Sequence, residues 1–78
     1  SSSLKHRQEL IGQYRELINE HFLKLKTPRD YADLLHITAN YLSGVCKEVT
    51  GKPAGQLIRE RIILEAKRLI LHTPLTIS

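Results

Sequence analysis

The sequence contains one cysteine, Cys46, and neither methionine nor tryptophan. A lone thiol cannot form an internal disulfide, which excludes a disulfide-stapled secreted miniprotein and points to a reducing, cytoplasmic setting. No apolar run is long enough to cross a bilayer, and no charged-then-apolar secretory leader is present. Strand-like alternation, internal repeats and low-complexity tracts are likewise missing. So are the marks of catalysis: there is no glycine-rich phosphate loop, no pair of carboxylates in a cleft-like context and no activated Ser/His set, so an enzyme is not expected. His6, His21, His36 and His72 have no ligand-like spacing with one another or with Cys46, and no metal or other cofactor is expected. The missing methionine and the Ser1-Ser2-Ser3 start suggest a piece of a longer protein, with residues 1–3 as linker outside the fold.

Seventy-eight residues suffice for one small domain with a modest core. The net charge of +4 is compatible with nucleic acid and with any basic soluble domain. Its distribution says more. Residues 1–26 carry five basic and three acidic side chains, residues 27–50 two and three, and residues 51–78 five and two. The middle segment is close to neutral, so long-range attraction to phosphates must come from its neighbours.

Periodicity predicts four helices in the order long, short, short, long, hence an all-α, homeodomain-like helix-turn-helix bundle. Between Leu4 and Leu25 the apolar residues fall at Leu10/Ile11, Tyr14, Leu17/Ile18, Phe22 and Leu25, the spacing of one helix face. Thr27-Pro28-Arg29-Asp30 is a helix start, with Thr27 as an acceptor for a free N–H, Pro28 at the first position and Asp30 placing negative charge in the first turn. That helix is short, running through Tyr31, Ala32, Leu34 and Leu35, and His36-Ile37-Thr38 interrupts it. Thr38 caps a third helix that carries Leu42, Val45/Cys46 and Val49 on one side and closes at Thr50-Gly51. A longer helix spans about 54–71, with Leu57/Ile58, Ile62, Ala66 and Leu69/Ile70 in period, and His72-Thr73-Pro74 stops it.

Two short helices joined by a three-residue turn form the core of a helix-turn-helix. Ala32 supplies the small side chain needed where the helices cross. Tyr31, Leu34 and Leu35 face the core, the turn buries Ile37, and the second helix buries Leu42 and Val45. His36 takes a turn position where glycine is favoured for its positive φ, a conformation histidine tolerates better than branched residues do.

Three stretches occur together: Asn40-Tyr41-Leu42-Ser43, then Lys47-Glu48 followed by Thr50-Gly51, then Arg61 with Ala66 and Leu69-Ile70. In this combination residues 32–51 resemble the first helix-turn-helix of AraC-type transcription regulators. Residues 56–70 are similar to that family's linker helix, and residues 73–78 to the approach to its second motif. The resemblance covers roughly residues 5–78. It implies a three-helix unit over 4–51 containing the helix-turn-helix (28–50), a linker helix over 52–72 and the start of a second motif over 73–78. It also implies a parent protein with two such motifs on successive major-groove segments, often behind a domain for a small-molecule effector that would lie outside this chain.

If Leu42, Val45, Cys46 and Val49 face inward, helical geometry turns Asn40, Ser43, Gly44 and Lys47 outward. These are the candidate base contacts in double-stranded DNA: Asn40 suits adenine, Ser43 donates or accepts, and Lys47 reaches guanine or phosphate. The resemblance places a larger polar residue, commonly arginine, where this chain has Gly44, so readout here should be modest. Thr38 and Ala39 at the helix start, with Lys52 and Arg29, are the candidate backbone contacts.

Other residues have plainer readings. Cys46 reads as a buried, inert thiol, Tyr14 and Tyr41 as packing residues, and Arg61 and Glu65 as an i,i+4 pair. The alternative function is a small helical protein-interaction or dimerisation module, although such a surface favours large apolar anchors over the small polar residues of helix 38–50. Ile62, Ile63, Leu64, Leu69, Ile70, Leu71 and Leu75 exceed what one helix face can bury, so some should be exposed and favour self-association.

Overall fold

The computed structural model describes residues 2–72, with side chains over 4–70. Four helices follow in order: α1 (Ser2–His21), α2 (Pro28–Leu34), α3 (Ala39–Thr50) and α4 (Ala54–His72). No strand occurs among the described residues. The all-α expectation holds, and the approach to a second motif over 73–78 lies outside the described residues, as does Leu75.

α1 differs from its expected bounds at both ends. Ser2 and Ser3 are helical rather than linker, because once a helix is nucleated each added residue gains a hydrogen bond at little cost. At the other end the helix stops at His21 instead of reaching Leu25. The Phe22 N–H still donates to the Ile18 carbonyl (2.9 Å), but the Lys24 and Leu25 N–H groups both fold back onto the His21 carbonyl (2.9 and 2.8 Å). This turn keeps Phe22 in the core and Leu25 half-buried while Leu23 points to solvent.

The start of α2 is a capping box between Thr27 and Asp30, in which the Thr27 side chain faces the Asp30 N–H. The Asp30 carboxylate accepts in return from the Thr27 hydroxyl (2.9 Å) and N–H (3.4 Å). An ionised oxygen is the stronger acceptor and draws the hydroxyl proton. α2 buries Tyr31 and Ala32 and half-buries Leu35. Leu34 does not join them: it is 46% exposed, because at about 100° per residue it lies well to one side of the face that Tyr31 and Leu35 share.

The turn to α3 behaves as its residues require. His36 has φ 59°, the left-handed region, and Ile37 is half-buried. The Thr38 hydroxyl then accepts from the Tyr41 N–H (3.0 Å) to open α3. Gly51 closes it at φ 77°, its N–H donating to the Lys47 carbonyl (2.9 Å).

One core joins all four helices. Ile11, Tyr14 and Ile18 come from α1, Tyr31 and Ala32 from α2, Leu42, Val45 and Cys46 from α3, and Ala54, Leu57 and Ile58 from α4. Its centre is a pair of tyrosines, Tyr14 and Tyr31, whose rings meet edge-on at 5.5 Å. Each buried phenol finds a backbone acceptor: Tyr14 donates to the Ala54 carbonyl and Tyr31 to the Leu25 carbonyl, both at 2.7 Å. Tyr14 thereby fastens α1 to the first residue of α4. The first half of α4 is thus part of the body, and residue 52 marks no boundary in packing. Past Ile62 no described side chain of α4 is buried.

Candidate nucleic-acid interface

α3 is amphipathic and capped at both ends, so the protein holds it rigidly with one face outward. Leu42, Val45 and Cys46 are buried and Val49 half-buried, which orients the rest of the helix. Asn40, Gly44 and Lys47 are exposed together on the opposite side. Spaced four and three residues apart, they form one stripe. Ser43 was expected with them but is half-buried, since it sits toward the flank that holds Ala39 and Thr50. The Thr50 hydroxyl itself donates to the Cys46 carbonyl (2.7 Å), which keeps that flank closed.

The helix start offers less than its sequence suggests. The Thr38 hydroxyl and carbonyl take the N–H groups of Tyr41 and Leu42 (both 3.0 Å). That leaves the N–H groups of Ala39 and Asn40 without an acceptor inside the helix. Ala39 presents only backbone, its methyl packing against the core.

The two remaining candidates stand on other elements. Arg29 is exposed in the first turn of α2. Lys52, just past α3, is committed to a partner: its Nζ lies 2.9 Å from Glu60 on α4, and its backbone N–H donates to the Thr50 hydroxyl (3.0 Å). Hydrogen bonds from Lys52 and Gln56, with the Lys52 and Arg15 charges, hold the Glu60 carboxyl below its ordinary range.

Three residues belong to this face that periodicity did not select. Tyr41, expected to pack, is 48% exposed beside Asn40, because the inward sector of α3 is already filled by Leu42 and Val45. Glu48 lies on the same flank and pairs with Arg7 of α1. With Asn40, Gly44 and Val45 these residues line an open groove of about 470 Å³. Its floor is low at Gly44, where an added Cβ would meet nothing within 4 Å. No local signal in the sequence links Arg7 to Glu48, which are separated by 41 positions.

Another groove, of about 290 Å³, runs between α1 and α4 and includes no residue of α3. Its Arg61 is held structurally: Nε donates to the Asn19 side chain (2.7 Å), a second nitrogen reaches Glu65 (3.3 Å), and the guanidinium lies 4.2 Å from the centre of the Phe22 ring. The expected Arg61–Glu65 pair is therefore present. Cys46 is fully buried. Among the described residues no three His, Cys, Asp or Glu side chains gather as a metal site would need, and no helix is long and apolar enough to cross a membrane.

No protein-family model, curated protein or solved structure matches this chain.

Proposed function

We propose that the chain is the DNA-binding part of a transcription regulator, of the AraC type its sequence resembles, with α3 as the recognition helix in the major groove. The observation that carries this reading is the outer stripe of α3, where Asn40, Gly44 and Lys47 are exposed and no large aliphatic side chain stands among them. A helix with that face, capped at both ends and braced by α2 through a tight turn, has the shape and chemistry to enter a groove. In this arrangement the Asn40 amide pairs with an adenine edge and the Lys47 ammonium with guanine or phosphate. The Ala39 and Asn40 N–H groups point to a phosphate at the helix start. Gly44 allows close approach and contributes no side-chain contact. The role is binding, with no chemical step, and any effector acts through a domain outside this chain.

The test begins with selection of duplexes that bind the chain, followed by affinities on matched and singly mismatched sequences at two salt concentrations. Asn40→Ala should lose preference at one base position, by about 1–3 kcal/mol. Arg29→Ala, at the exposed cation in the first turn of α2, should weaken every duplex about equally and lower the salt slope by about one. An Asn40→Ala loss that is the same on every sequence would sink the base-reading role.

A second reading, a protein-contact or self-association module, is favoured by the far end of α4, where Ile63, Leu64, Leu69 and Ile70 are exposed. Sedimentation over a concentration series separates the two, since a groove-reading face requires no self-association and an α4 contact between copies does.

A further inference from the structure

The groove beside α3 joins two parts of the chain that a helix-turn-helix alone would not. α1 runs past the flank of the recognition helix and brings Arg7 to the edge of the exposed stripe, where it pairs with Glu48. Arg7 is partly buried and Glu48 largely exposed, so the cation is the better-held member of the pair. The groove is walled by Tyr41, Asn40 and this ion pair, with Val45 and the bare backbone of Gly44 beneath. Hydrogen-bond donors line it on both sides: the Arg7 guanidinium on one, the Tyr41 phenol and Asn40 amide on the other.

The geometry points to this groove as the seat of one DNA strand's phosphodiester backbone, with Arg7 as the phosphate ligand and Glu48 as the group that competes for it. The proposal rests on the reading of α3 as a groove-entering helix and extends that interface to α1. When the outer stripe of α3 faces base edges, its flank faces the sugar-phosphate wall, and the flank with Tyr41 and Glu48 is the one that carries the groove. A carboxylate there repels phosphate unless a cation neutralises it. The internal pair thus holds down affinity for DNA in general: Arg7 must turn from Glu48 to a phosphate for the strand to seat. The two groups are partly exposed, so the exchange needs no unfolding, and the pair itself contributes little to stability.

A double-mutant cycle on the 78-residue chain tests this without knowledge of the target sequence. The probe is a mixed-sequence DNA duplex two helical turns long, with affinity measured by anisotropy across a salt series and helicity followed by circular dichroism. Glu48→Gln should tighten binding about three- to tenfold at low salt and steepen the salt slope by about one, since the carboxylate that repels phosphate and competes for Arg7 is then gone. Arg7→Ala made in the Glu48→Gln background should reverse both changes. If Arg7→Ala has no effect in that background, Arg7 only neutralises Glu48 and the phosphate seat is overturned. Asn40→Ala on selected duplexes serves as the reference for the recognition face. Sequence-dependent loss there with a flat Arg7/Glu48 cycle rejects this inference alone, whereas no measurable DNA binding by the parent chain or by Glu48→Gln rejects both.

Discussion

Both halves of α4 carry large aliphatic residues, and they differ in what those residues touch. Leu57 and Ile58 are buried within the four-helix core, and Ala54 is tied to α1 through Tyr14. Ile63, Leu64, Leu69 and Ile70, on the same helix, stand in solvent. Apolar spacing says which positions share a face and nothing about whether a neighbour covers it. One half of α4 is a structural element of the body, and the other is a surface.

Substituting isoleucine at each end tests that difference most directly. Ile58→Ala, at a site 1% exposed, should cost about 2–5 kcal/mol of stability in chemical denaturation. Ile70→Ala, at a site 69% exposed, should stay within about 0.5 kcal/mol. Comparable losses would mean that the far end is covered in solution, and Ile70→Lys should then also lower any self-association seen in sedimentation.

A smaller effect should follow from loosening the body end. Tyr14→Phe keeps the ring and removes the donor to the Ala54 carbonyl, at about 0.5–1.5 kcal/mol for one hydrogen bond lost from an acceptor that keeps its place in α4. Burial, with smaller contributions from Cys46 and Tyr31, pushes the Tyr14 phenol well above its ordinary 10.0. The folded state thus favours the neutral phenol, and this stability is complete below pH 10 and lost as pH rises toward the raised value. Burial, and then Asp30, raise Tyr31 in the same direction. Denaturation followed from pH 8 upward should show an alkaline decline that is shallower in Tyr14→Phe.

The smallest effect belongs to the Lys52–Glu60 pair, which joins the end of α3 to α4 at the surface. Because the Glu60 carboxyl is lowered in the folded state, its contribution is present above the ordinary value of 4.5 and fades as pH falls through the lowered one. Glu60→Gln should therefore make the acid limb of the stability curve slightly flatter and leave neutral stability nearly unchanged. A large loss at neutral pH would show that the pair positions α4 rather than decorating it.

Much of the candidate site was legible before the fold. Thr38 and Gly51 bracket α3 because capping and positive φ are properties of single residues in their local sequence. The left-handed turn at His36 could be read from the interval between Ala32 and Leu42. Asn40, Gly44 and Lys47 follow from turning Leu42, Val45 and Cys46 inward. The errors have a common source. Ser43 and Leu34 lie near the border between faces, where a fixed angle per residue cannot decide burial, and Tyr41 was assigned to packing on residue type alone. Lys52 looked available because its partner Glu60 is on another element, and Arg7 was not singled out at all because Glu48 is 41 positions away.

Local residue order sets where each helix begins and ends to within a few residues, and which side of α2, α3 and the first half of α4 is apolar. Those features depend on backbone groups and side chains no more than about one turn apart. The packing of distant segments settled that α1 passes beside α3, that the described far half of α4 stays uncovered, and that Arg7 and Lys52 are each engaged by a carboxylate on another element. Those outcomes depend on which distant surfaces meet, and ion pairs between such surfaces leave no periodic trace along the chain.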